Sequence, residues 1–109
     1  MTEIVYNKLV RDGIPAIIAA DNSVPIQRIL SDDKEYLQAL LEKLVEEATE
    51  LLESNGSLEE RADIAEVINA IDQLLGFNPK AVEAARADKV NKRGSFSSRI
   101  FLEKAVTND

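Results

Sequence analysis

Leu40-Leu41-Glu42-Lys43-Leu44-Val45-Glu46-Glu47-Ala48-Thr49-Glu50-Leu51-Leu52, followed after a short polar break by Ser57-Leu58-Glu59-Glu60-Arg61-Ala62-Asp63-Ile64, decides how this chain folds. At about 100° per residue, the apolar positions of the first stretch, from Leu37 through Leu52, fall on one broad face of a helix. Glu47 sits on the rim of that face, Glu50 lies further round on the same side, and Glu46 points further toward solvent. On the second stretch Glu60 falls between Val67 and Ile71, and Asp63 between Leu74 and Ala70. Two acids thus interrupt an otherwise apolar face. The i, i+3 spacing puts each acid pair on one side of its helix.

Working outward, Ser31 or Asp32 caps the first long helix, which runs to about Glu53. Asn55-Gly56 marks the loop, Ser57 opens the second helix, and Gly76 closes it after about Leu75. Upstream, Pro15 belongs in the first turn of a short helix, Ile14 to Ala20, ended by Asp21-Asn22-Ser23. Downstream, Asn78-Pro79 starts a fourth helix to about Val90, and Asn91 to Ser98 reads as loop. Pro25 to Leu30 alternates and is β-branched, the pattern of a short strand, with Ile100-Phe101-Leu102 as its pairing partner. The expected fold is mainly α: a bundle of about four helices in a single domain, 1–109, carrying a short two-stranded β element.

Composition narrows the chemistry. The chain has 109 residues, a net charge of −7, 45% hydrophobic and 30% charged residues, which describes a globular domain. It contains no Cys and no His, which excludes thiolate and imidazole catalysis and soft-metal sites. A di-iron carboxylate bundle, which needs Glu-x-x-His pairs, fails for the same reason. The negative balance argues against a nucleic-acid partner. Glu3, Lys8, Arg11 and Asp12 break every apolar run near the start, so no targeting or membrane segment is expected and the expected location is cytoplasmic. With five aromatic residues the core is small, and burial against a second copy, in a dimer or tetramer, is expected.

Charge is unevenly spread. Residues 32–76 hold thirteen acids against Lys34, Lys43 and Arg61, whereas residues 77–109 hold seven bases against four acids. Internal salt bridges therefore cannot neutralise the acidic middle. Partial burial of unpaired carboxylates costs several kcal/mol, so protons or cations must compensate. With oxygen ligands only, the fitting ions are Mg²⁺ or Mn²⁺. The competing reading of Ser57-x-x-Glu60 is a capping box, with Glu60 bonding a backbone N–H at its own helix start.

These residues resemble a known signature. Glu46-Glu47-Ala48-Thr49-Glu50 followed by Glu60-Arg61-Ala62-Asp63 is similar to the Glu-Glu-x-x-Glu … Glu-x-x-Asp pattern of the all-α nucleoside triphosphate pyrophosphohydrolases, the MazG-related superfamily. Tyr6-Asn7-Lys8-Leu9-Val10-Arg11-Asp12 and Lys92-Arg93-Gly94-Ser95-Phe96 … Arg99-Ile100-Phe101-Leu102 resemble its small phosphoribosyl-ATP pyrophosphohydrolase-like branch. Two departures stand out: the spacer 51–59 is shorter than in many members, and position 13 is Gly where the branch carries Lys.

The resemblance implies a helical bundle completed by a second subunit. It also implies Mg²⁺-dependent hydrolysis of a nucleotide between its α- and β-phosphates. Carried over by position, Glu47, Glu50, Glu60 and Asp63 are the candidate metal ligands, and one of them or Glu46 orients the attacking water. Lys8, Arg11, Lys89, Lys92, Arg93 and Arg99 are the bases available to hold phosphate oxygens, with Gly94-Ser95 backbone N–H groups beside them. Phe96, Phe101 and Tyr6 read as core or interface residues. The alternative function is a non-catalytic module of the same bundle, acting in protein contacts or nucleotide sensing.

Overall fold

The computed structural model describes residues 2–108. Four helices follow one another: α1 (Ile14–Ala20), α2 (Asp33–Glu53), α3 (Leu58–Leu75) and α4 (Pro79–Arg93). The protein is mainly α. The contacts divide it into two compact units, Met1–Gly76 and Phe77–Asp109, where the sequence reads as a single domain.

Local chemistry fixes the boundaries of the first unit. Asp32 caps α2 by accepting the Glu35 N–H at 3.2 Å, and Ser57 caps α3 by accepting the Glu60 N–H at 3.2 Å. Gly76 ends α3 in the left-handed region, φ 70°, which costs glycine little. Between the helices, Asn55 and Gly56 adopt φ 56° and 91°, and the Gly56 N–H closes onto Leu51 O at 2.9 Å. That tight turn makes α2 and α3 an antiparallel hairpin.

The core of the hairpin is small. Leu40, Val67 and Ile71 are buried, with Leu9, Tyr36, Leu44, Ala70 and Leu74 packed around them. Burying one such aliphatic side chain contributes roughly 1.5–3 kcal/mol. Only part of the expected apolar face is used: Leu37, Leu40, Leu44 and Leu51 are buried or half-buried, whereas Leu41, Val45, Ala48 and Leu52 remain exposed. Leu9 anchors the irregular N-terminal arm on the core, which brings its neighbours Lys8 and Arg11 over the acidic helices.

Three expectations about local structure change. Neither Pro25–Leu30 nor Ile100–Leu102 forms a strand, and there is no strand among the described residues. Ile26 and Ile29 are 93% and 80% exposed, so the alternation there has no apolar layer to bury and nothing to hold it as a strand. In the second unit, α4 runs three residues beyond the expected end at Val90, because Asn91-Lys92-Arg93 continue it and the Gly94 N–H closes it onto Val90 O at 2.8 Å. Phe96 and Phe101 there are exposed, as is Tyr6 in the first unit, so none of the three is a core residue of the monomer. Among the described residues, no helix is long and apolar enough to cross a membrane.

Candidate metal centre

The hairpin brings four acids together. Glu47 and Glu50 on α2 and Glu60 and Asp63 on α3 each offer a carboxylate oxygen, and these oxygens lie within 4.8 Å of one another. All four expected ligand positions meet at one point. Such a group of oxygen donors can hold a hard divalent cation.

Burial separates this group from an ordinary acidic surface. Glu47 is only 7% exposed, and its Oε2 is buried without a hydrogen-bond partner. The Oε2 of Glu60 is likewise buried and unpartnered. A buried carboxylate oxygen left without a donor is costly, and a cation is the donor-free way of satisfying several at once. Burial, reinforced by the neighbouring Glu50 carboxylate, pushes the Glu47 carboxyl above the ordinary glutamate range, against a smaller opposing pull from Lys43.

Glu60 is available because another residue takes over half of its capping role. The Ser57 N–H donates to Ser54 Oγ at 3.1 Å, and Ser54 Oγ donates in turn to Leu51 O at 3.0 Å. In a reciprocal capping box the Glu60 carboxylate would accept that N–H. Here Ser57 caps Glu60, and Ser54 serves Ser57.

The bases expected to hold phosphate divide by unit. Lys8 Nζ contacts Glu46 Oε1 at 2.7 Å, and Arg11 Nη2 contacts Asp63 Oδ1 at 2.8 Å. Glu46 also meets Lys43 at 3.2 Å, so it is held between two amines and lies outside the four-acid group. Those hydrogen bonds, the one to Lys8 foremost, hold Glu46 below the usual carboxylate range, and Glu46 in turn raises Lys8. In the second unit, Lys89, Lys92 and Arg93 lie on α4 and Arg99 follows it, with Lys92 paired to Asp88 at 3.0 Å. The Gly94 N–H is committed to closing α4, which removes it from the expected anion-binding backbone groups.

Lys43 is the residue that sequence reasoning undervalued. Its side chain is 16% exposed and lies 3.4 Å from Glu47 Oε1. The signal was its position three residues before Glu46 and four before Glu47, which is ion-pair spacing on a helix. Lys43 and Arg11 also line a cavity of about 500 Å³ that includes Glu47 and Asp63 in its wall.

No family model, curated protein or solved structure matches this chain.

Proposed function

We propose that the first unit is the core of a Mg²⁺- or Mn²⁺-dependent nucleotide pyrophosphohydrolase. It would hydrolyse a nucleoside triphosphate or related nucleotide between the α- and β-phosphates, giving a monophosphate and pyrophosphate. The observation that carries the reading is the unpartnered, buried Glu47 Oε2 inside a ring of three further carboxylates. The motif resemblance supports the same assignment, since its four ligand positions are the four residues that meet.

Bound Mg²⁺ supplies charge neutralisation at phosphate oxygens and makes a coordinated water more acidic. The protein's own residues do the rest. Glu47, Glu50, Glu60 and Asp63 would hold the cation, and a carboxylate of this group would accept the proton of the attacking water. Lys8 and Arg11 reach the rim of the site and supply cationic N–H donors for phosphate oxygens. Lys43 neutralises Glu46 and the outer oxygen of Glu47, which reserves the inner oxygen for the cation.

Self-association belongs to the same reading. Leu41, Val45 and Leu52 of α2 and Ile68 of α3 are 42%, 68%, 76% and 41% exposed. A second copy laid along this side would enlarge a core that has three buried aliphatic side chains.

Incubating the full chain with a panel of canonical and damaged nucleotides plus phosphoribosyl-ATP, with Mg²⁺ or Mn²⁺, tests the activity through pyrophosphate and monophosphate release. Asp63→Ala and Glu47→Ala are expected to lower kcat on the order of 10²–10³-fold or more, the scale of losing one electrostatic stabiliser. Wild-type turnover in either variant would remove the site assignment. No hydrolysis across the panel, with no thermal shift on adding Mg²⁺, would favour a non-catalytic module.

A further inference from the structure

The second unit has no interior. Every one of its described residues is exposed, and α4 buries none of its side chains. A 15-residue helix standing alone is marginal in water, because helices of this length draw most of their stability from packing an apolar face. The unit also displays Phe96, Ile100, Phe101 and Leu102, all largely exposed. Such a segment lacks a covering partner, and its charge says what that partner is.

At about 100° per residue, Val82, Arg86, Lys89, Val90 and Arg93 fall on one side of α4. Asp88 lies on the opposite side, and Glu83, at the edge, is paired with Arg86 at 2.6 Å. This face is therefore basic as well as apolar, and Lys89 and Arg93 have no ion-pair partner among the described residues. The first unit carries the converse. Leu41, Val45 and Leu52 form an exposed apolar row on α2. Glu42 and Glu53 border that row, and neither has an ion-pair partner among the described residues. At about 1.5 Å per residue the row is about 16 Å long, within the roughly 22 Å of α4.

A polyanion, such as a nucleic acid or an anionic bilayer, would also match the basic face. It would however meet the thirteen acids and three bases of residues 32–76 in the same chain. With a second copy that same excess attracts. In a two-fold pair each copy gives its second unit and receives the other's, which doubles the contact. Phe96 and Phe101 of both copies alone carry roughly 600–1,000 Å² of surface, at roughly 150–250 Å² for each ring. That is a large part of the roughly 1,200–2,000 Å² buried in a stable interface.

We propose that the second unit is an exchanged arm: in a dimer, α4 and the segment after it lie on the exposed α2 face of the other copy's first unit. The inference rests on the self-association reading above, names the surface that covers that face, and is independent of catalysis.

Charge exchange in the full chain tests it, with mass read by sedimentation and light scattering. Lys89→Glu with Arg93→Glu should weaken dimerisation about tenfold or more, and so should Glu42→Lys with Glu53→Lys, since each pair sets like charges against one another. Mixed in equal amounts, the two variants should restore a dimer, because both contacts of the mixed pair then join opposite charges. All four side chains are exposed, so each variant keeps the α2–α3 hairpin, which circular dichroism checks. Variants that stay monomeric on mixing, or a dimer that either pair of substitutions leaves untouched, overturn the exchanged arm and leave self-association to another surface. A monomeric wild-type chain overturns both readings, and if it binds phosphatidylserine vesicles or single-stranded DNA the face belongs to a polyanion. Nucleotide hydrolysis plays no part in the readout.

Discussion

Arg11 and Asp63, 52 positions apart in the chain, meet through an Nη2 to Oδ1 contact of 2.8 Å at the edge of the four-acid group. The guanidinium thus neutralises one of the very oxygen-bearing groups that a cation would use. Both partners are substantially exposed, 57% and 38%, so the pair itself is worth little to stability, up to about 1 kcal/mol. Under the proposed function its consequence would lie in ligand binding, where the guanidinium would compete with the cation and could turn to phosphate.

Arg11→Gln should accordingly act in opposite directions on the two ligands. Mg²⁺ affinity rises, by up to about fivefold, because the competing charge is gone and that ratio corresponds to about 1 kcal/mol. Nucleotide KM also rises, because a cationic donor for the phosphates is lost. Calorimetric titration of the metal alone and steady-state kinetics at saturating metal read the two effects separately. A variant weaker for both ligands would show that Arg11 only braces the fold.

The raised Glu47 carboxyl gives a pH signature. Its folded-state value lies above the ordinary glutamate value of 4.5, so the native protein holds this proton more tightly than the unfolded chain does. Stability from this group is present below 4.5 and is lost as pH rises through the folded value. Glu46, lowered by Lys8, works in the other window: its contribution is lost as pH falls below 4.5. Without metal, the melting temperature should therefore fall between mildly acidic and neutral pH. With Mg²⁺ the trend reverses, because the cation needs Glu47 ionised, and the metal-induced shift shrinks as pH drops through the same window. Glu47→Gln should raise the metal-free melting temperature at pH 7 and flatten both profiles. Parallel melts with and without Mg²⁺ across this range would refute the assignment if Glu47→Gln behaved like wild type.

Ser54→Ala tests the relay that frees Glu60. Losing the acceptor for the Ser57 N–H should cost about 0.5–2 kcal/mol, the usual range for a helix-cap substitution. Glu60 occupies the position whose carboxylate accepts this N–H in a capping box, so it should swing back to form the box and leave the four-acid group. Mg²⁺ affinity then drops although no ligand has been mutated. An unchanged metal affinity in a destabilised Ser54→Ala protein would mean that Glu60 does not contribute to the site.

Leu52→Glu and Val45→Glu address self-association. Both side chains are largely exposed in the monomer, so the charge costs little there and much in an interface. The wild-type chain should sediment as a dimer or tetramer and the double variant as a monomer of lower melting temperature. A monomeric wild-type protein by light scattering would contradict this part of the proposal.

The helices and, apart from the C-terminal end of α4, their ends were legible in the sequence because the signals that set them are local. Asp32, Ser57, Asn78 and Gly76 each act on backbone within a few residues, and each terminates its helix in the structure where its chemistry places it. The acid pairs were legible for the same reason, since i, i+3 spacing on a helix fixes a common side. The strand expectation at 25–30 failed because alternation specifies a strand only when an apolar layer lies on one face. The apolar face of α2 was overestimated in the monomer because its angular width says nothing of how much a single neighbour can cover.

What only the tertiary structure decided is the meeting of the two acid pairs. Their relative height depends on how Leu40 seats against Val67 and Ile71 and on the tight turn at Asn55-Gly56, and no local rule sets that register. The same packing anchors Leu9, which carries Arg11 to Asp63 and Lys8 to Glu46 across tens of residues. Ser54 taking the Ser57 N–H from Glu60 was likewise invisible, because both acceptors lie within reach in sequence and only the folded turn chooses between them. Sequence determined which carboxylates share a helix face. Packing determined that they share a point in space, because burial energy, not local hydrogen bonding, sets the distance between two helices.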